Sequence, residues 1–234
     1  MIAIISQSVI KNAGEKNENR ESIELYTLID NRTYILYNTN MKEIATDSPN
    51  DVLELASGQI LAILAPHAGR TAMLETAARF SLRGPVRVLD GGNHFNAYIV
   101  ARSIRRFTAD IDSALTRISL ARAFTCYQME ALLADAALEV RHLPEQAHSP
   151  VTLVFDLLAT FYDENVSVIE RQRLLALCRH YFKVISTRSP LLISLRPAQP
   201  TRPDQQSLLN EMLDFVDNVW QAETPAPAAM PRLF

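Results

Sequence analysis

Cysteine, net charge and long apolar runs are all scarce in this chain. Of its 234 residues only two are cysteine, Cys126 and Cys178. Both fall in helix-like stretches, which suits a reduced cytoplasm better than a disulfide scaffold. The formal charge is −3 at pH 7, so no global field draws the chain to nucleic acid. Any such contact must come from a local patch. No run approaches the roughly 18 apolar residues of a membrane helix. The stretch Met1 to Ile5 is too short for the apolar region of a signal peptide and has no basic lead-in. We therefore expect a cytoplasmic protein with no membrane partner. What is present is a hydrophobic content of 48%, enough to bury a full core in an α/β domain.

The central stretch runs from Gln59 to Asp90. Gln59 to Ala65 is an apolar run, Pro66 to Thr71 a loop, Ala72 to Leu82 a helical stretch and Val86 to Asp90 a second apolar run. That order makes one βαβ unit, the building block of parallel sheets with right-handed crossovers. A phosphate-binding loop in this place would read glycine, four residues, glycine, lysine and serine or threonine. Its backbone amides cradle phosphate, the lysine neutralises it and the hydroxyl holds magnesium. Here Leu64 stands for the first glycine, Gly69 for the second, Arg70 for the lysine, and Thr71 is intact. The position is right and the chemistry is damaged. Gly69, Arg70 and Thr71 are candidate nucleotide contacts, and a plain strand-to-helix turn capped by Thr71 is the competing reading.

Elsewhere the pattern divides the chain into three parts. Residues 1–50 read as a small β-rich appendix: a short strand at Ile2 to Ile5, a polar loop from Lys11 to Glu21, and a hairpin of Ser22 to Ile29 with Thr33 to Tyr37. Residues 51–221 read as the core domain. Asp51 to Ala56 suggests a short helical turn before Gly58. After Asp90 we expect helices over Asn96 to Phe107, Asp110 to Thr116, Thr125 to Val140 and Val168 to Ile185. Strands are expected over Ile118 to Ala123, Val151 to Phe155 and Leu191 to Leu195, the last closing the parallel set. A final amphipathic helix is expected around Gln205 to Trp220. Residues 222–234 are Ala/Pro-rich and read as a disordered tail, with docking of Leu233 and Phe234 on a partner as the alternative. Alternating strands and helices make a doubly wound, mainly parallel sheet, in which ligands bind at the carboxyl ends of the strands. Four candidate positions converge there: the Pro66 to Thr71 loop, Asp90 to His94, Asp156, and Ser194 to Arg196.

Gly58 to Arg196 resembles the RecA family, in its archaeal and eukaryotic recombinase branch and their paralogs. The likeness is carried by the phosphate-loop position with its helix, by Val88-Leu89-Asp90 followed by Phe95, and by Ala121 to Phe124 with Gln128-Met129-Glu130. Val154 to Leu158 and Glu170-Arg171-Gln172 with Leu174 complete it. The resemblance implies a RecA-like P-loop NTPase fold and places Asp156 beside magnesium. The departures fall on the chemistry. Family members carry lysine where Arg70 stands, glutamate where Gly92 stands, and threonine-asparagine-glutamine where Ser194-Leu195-Arg196 stands. A planar guanidinium does not replace a compact ammonium, and glycine cannot orient an attacking water.

The resemblance thus implies a RecA-fold paralog with degraded motifs: a non-hydrolysing accessory or regulatory protein in DNA recombination or repair, with no catalytic residue. ATP with magnesium, bound at Gly69, Arg70, Thr71 and Asp156 without hydrolysis, is the cofactor it leaves open. The alternatives are an active DNA-dependent ATPase and a structural subunit of a hetero-oligomer without a DNA role. Arg102, Arg105 and Arg106 form a basic run suited to weak, salt-sensitive DNA contact. A protein partner or homo-oligomer is expected. His67 and His94 fall on two loops at strand ends, but no cysteine or carboxylate pair at ligand spacing accompanies them, so no metal site is assigned.

Overall fold

The computed structural model describes residues 2–6, 33–37, 52–144, 147 and 149–222. Nine strands are named in chain order: β1 Ile2–Ser6, β2 Thr33–Tyr37, β3 Val52–Ala56, β4 Ile60–Leu64, β5 Val86–Asp90, β6 Ile118–Arg122, β7 Val151–Phe155, β8 Leu191–Leu195 and β9 Asn218–Ala222. Among the described residues six α-helices accompany them: α1 Arg70–Ser81, α2 Ala97–Ile104, α3 Ile111–Thr116, α4 Cys126–His142, α5 Val168–Ser186 and α6 Pro203–Phe215.

The main sheet runs β1-β9-β4-β8-β7-β5-β6. Its six strands from β9 to β6 are all parallel, and β1 adds antiparallel to β9. This is an α/β architecture compatible with Rossmann-like and P-loop-like folds. The central strands β4, β7 and β8 are apolar and buried on both faces, as covered sheets require. On β4, Leu61 and Ile63 join a core with α1, α2 and α3, while Ile60 and Ala62 join the opposite core with α4, α5 and α6. The chain leaves β4 over the first face to reach β5 and β6, then returns over the second face through β7 and β8 to β9. A doubly wound sheet is the result.

Helix boundaries follow capping chemistry. Asn96, Asp110, Thr125 and Ser167 each accept a backbone N–H of the first turn of α2, α3, α4 and α5 respectively. Fully buried Phe80, Phe155, Phe161 and Phe182 anchor the two cores. Each such ring contributes about 1.5–3 kcal/mol on leaving water.

Several expectations are corrected. Asp51 to Ala56 is not a helical turn: Val52–Ala56 is a strand paired antiparallel with Thr33–Tyr37 in a separate two-stranded sheet. Cross-strand backbone bonding outweighed the weak local helical signal. Ile2–Ser6 does not belong to an appendix but lies on the edge of the main sheet. The last helix stops at Phe215, and Val216, at ψ 151°, turns the chain into β9, so Trp220 is on a strand. Asp217 secures that switch: its backbone N–H donates to the Ile60 carbonyl at 3.0 Å, and its carboxylate accepts the Ile60 N–H at 2.7 Å. β8 therefore does not close the parallel set, because β9 follows it on the far side of β4. Residues 22–29, the expected first arm of the hairpin, and the tail from 223 onward lie outside the described residues.

Candidate functional site

All six parallel strands point the same way, so the segments after β4, β5, β6, β7 and β8 emerge along one edge of the sheet. Two of them, after β7 and β8, meet the turn after β5. Asp156 follows β7 directly, is fully buried, and adopts a left-handed backbone at φ 49° and ψ 55°. Arg196 follows β8. Its Nε donates to both carboxylate oxygens of Asp156 at 2.9 Å, and its Nη2 donates to Oδ2 as well. The Asp156 backbone N–H donates to the Ser194 hydroxyl at 2.8 Å. The end of β8 thus holds Asp156 by main chain and side chain together. The carboxylate in turn pushes the Arg196 guanidinium above its ordinary value, chiefly through their hydrogen bonds.

The Gly91-Gly92 turn closes over this pair. A side chain added at Gly92 would place its Cβ 2.6 Å from Asp156 Oδ2 and 2.7 Å from Asp156 Cβ. The space a glutamate would need is filled by Asp156 itself. Asp90, also fully buried, braces the same turn by accepting the N–H groups of His94 and Phe95, each at 2.9 Å. Arg122 lies 3.5 Å from Asp90 and donates to the Phe95 carbonyl at 3.1 Å. His94 Nδ1 sits 3.7 Å from Asp156 Oδ2, buried and without a hydrogen bond. Burial holds the imidazole below its usual range, with Asp156 opposing and Arg196 reinforcing that shift. The buried Tyr162 hydroxyl also has no partner. Burial, then Asp156, pushes it upward against the pull of Arg196.

The phosphate-loop position is built differently. His67, Ala68 and Gly69 take φ 51°, 52° and 57°, three successive left-handed residues. That conformation is costly for residues with a Cβ and persists only where its surroundings hold it. The Ala68 N–H donates to the Ala65 carbonyl at 2.9 Å, and the Arg70 N–H donates to the His67 carbonyl. Two amides that could face a ligand are therefore spent inside the turn. Ala65 and Ala68 are buried, so methyl groups fill its inner side. Gly69 is the residue before α1 and no side chain caps that helix, so Thr71 is not the cap expected from the sequence. Arg70 and Thr71 are exposed.

Of the candidate nucleotide contacts, Gly69, Arg70 and Thr71 lie together at the head of α1, whereas Asp156 is already engaged by Arg196. Of the candidate DNA contacts, Arg102, Arg105 and Arg106 are all exposed on or just after α2, and Arg106 lies 3.7 Å from Glu75. His67 is exposed on its turn and His94 is turned toward Asp156. Among the described residues no group of three or more His, Cys, Asp or Glu side chains could hold a metal ion. Sequence reasoning brought Asp90 to His94, Asp156 and Ser194 to Arg196 to one edge of the sheet and missed the bonds between them: Arg196 to Asp156, Asp156 to Ser194, and His94 and Phe95 to Asp90. The available signal was an arginine and an aspartate just past two successive apolar strands. Among the described residues no helix is long and apolar enough to cross a membrane. In comparison with known proteins, the chain matches no protein-family model and no curated protein.

Proposed function

We propose that this chain is a RecA-like domain that works by binding rather than by phosphoryl transfer, as an accessory or regulatory protein in DNA recombination or repair. The observation that carries the non-hydrolysing part is the Arg196–Asp156 pair beneath the closed Gly92 turn. A carboxylate that would face magnesium is occupied by a fixed internal cation held through a two-pronged contact. Releasing it would leave a buried charge without its partner, a change that costs about 3–5 kcal/mol in dry surroundings. The turn at Pro66–Gly69 supports the same reading, since the Ala68 and Arg70 amides bond to the Ala65 and His67 carbonyls. The process assignment rests on the resemblance of Gly58 to Arg196.

Thermal unfolding with and without Mg-ATP tests this. A ligand at a hundredfold its dissociation constant adds about 2.7 kcal/mol to a folded state. We expect no shift in Tm and no steady-state ATP turnover, with Arg70→Lys restoring neither. A clear rise in Tm together with hydrolysis that disappears in Asp156→Ala would overturn the proposal.

A further inference from the structure

Among the described residues β6 is the last strand of the main sheet and pairs on one side only, with β5. The Val86 N–H donates to the Arg117 carbonyl at 2.9 Å and the Ala123 N–H donates to the Asp90 carbonyl at 3.0 Å. In a parallel ladder bonding alternates, so residues 117, 119, 121 and 123 bond inward to β5. Ile118, Leu120 and Arg122 therefore present their N–H and C=O groups to the open edge.

Open edges are usually guarded by a lysine, a proline, a bulge or an unpaired charge. β6 has no proline or lysine, and its five residues pair with β5 in unbroken register. Its one charge, Arg122, lies beside Asp90 and bonds the Phe95 carbonyl. Arg117, just before it, is held by the carbonyls of Ser81 and Leu82 at 3.1 Å each. Leu120, in the middle, is 41% exposed. Both flanking charges are thus engaged within their own subunit, and the centre of the edge is apolar.

We propose that β6 pairs antiparallel with β6 of a second copy of this chain about a two-fold axis through Leu120. The sequence of the strand is self-complementary in that register. Leu120 meets Leu120, Ile118 meets Arg122, and Ser119 meets Ala121, so no like charges face each other. The outward groups of residues 118, 120 and 122 fall opposite one another and complete the ladder. A two-fold contact of this kind closes on itself and stops at the dimer. A DNA duplex fits the edge less well, because the arginines that flank it, Arg117 and Arg122, already bond carbonyls of their own chain.

Light scattering on the full-length protein at micromolar concentration tests the pairing. Wild type is expected at twice the chain mass. Leu120→Lys, which brings two ammonium groups together at the axis, should raise the dimer dissociation constant at least tenfold. Leu120→Pro should act likewise while leaving the circular dichroism spectrum intact, because that N–H is not bonded to β5. Leu120→Cys should cross-link to itself on mild oxidation, since bonded partners lie about 5.5 Å apart, within the range of a disulfide. Ile118→Cys should not, because its partner in this register is Arg122. A monomeric wild type, or a dimer indifferent to both Leu120→Lys and Leu120→Pro, overturns the proposal. So does equal cross-linking at positions 118 and 120.

Discussion

Asp90 and Asp156 invite comparison because they occupy similar places and are satisfied in different ways. Both lie at the carboxyl ends of neighbouring central strands, both are fully buried, and each has an arginine from the adjacent strand end. Asp90 accepts two backbone N–H groups and has Arg122 3.5 Å away. Asp156 takes its charge compensation from Arg196, and its own N–H is bound to Ser194. Asp90 is therefore a turn-forming carboxylate whose charge is spread over main-chain dipoles. Asp156 is half of an ion pair. One aspartate shapes the edge of the sheet, and the other is neutralised there by an arginine of its own chain.

Removing each arginine tests that contrast most strongly. Arg196→Met should destabilise the fold by about 3 kcal/mol, the lower end of the range for an orphaned buried charge, because Arg196 is itself partly open to water. Arg122→Met should cost about 1 kcal/mol or less, since the two backbone donors to Asp90 remain. Urea unfolding measures both. Equal losses would show that the two carboxylates depend on their arginines alike. Pairing Arg196→Met with Asp156→Asn should recover much of the loss, as no charge is then left unpaired.

Gly92→Ala sharpens the comparison at the turn between the two carboxylates. Its Cβ would meet the Asp156 carboxylate at 2.6 Å, so overpacking of about 1–3 kcal/mol is expected. Adding Asp156→Gly should remove most of that penalty, and a penalty unchanged in the double variant would place the strain elsewhere.

The smallest expected effect is on pH dependence. Burial lowers the folded-state pKa of His94, so between that value and the unfolded value near 6.5 the unfolded chain binds more protons. Stability contributed at this site should rise with pH through that window and level off above it. His94→Asn should flatten the slope. An unchanged slope in denaturant titrations between about pH 5 and about pH 7 would assign it to other groups.

The alternation of strands and helices was legible in the chain because each signal is local. Apolar runs such as Val151 to Phe155 and Leu191 to Leu195 can be buried only on both faces, and Ser167 or Thr125 before an amphipathic stretch marks where a helix starts. β9 was not legible. Asn218 to Trp220 continues the periodicity of α6 closely enough to read as helix, and only the free edge of β4 beside it makes a strand the better outcome. β3 escaped for the same reason, since its partner lies at Thr33–Tyr37. In the candidate site, Asp90, Asp156 and Arg196 were visible as residues at the ends of apolar strands. The bonds that join Arg196 to Asp156 and close the Gly92 turn over them were not.

From the order of its residues alone, this protein was bound to form an α/β sheet with a turn at Pro66 to Gly69 after β4, because periodicity and turn chemistry act over a few residues. The tertiary structure alone decided that Arg196 fills the place beside Asp156 and that Gly92 must stay a glycine. Those contacts join segments 40 residues or more apart in the chain, and local preference carries no information about which side chains the strand order will bring within hydrogen-bonding distance.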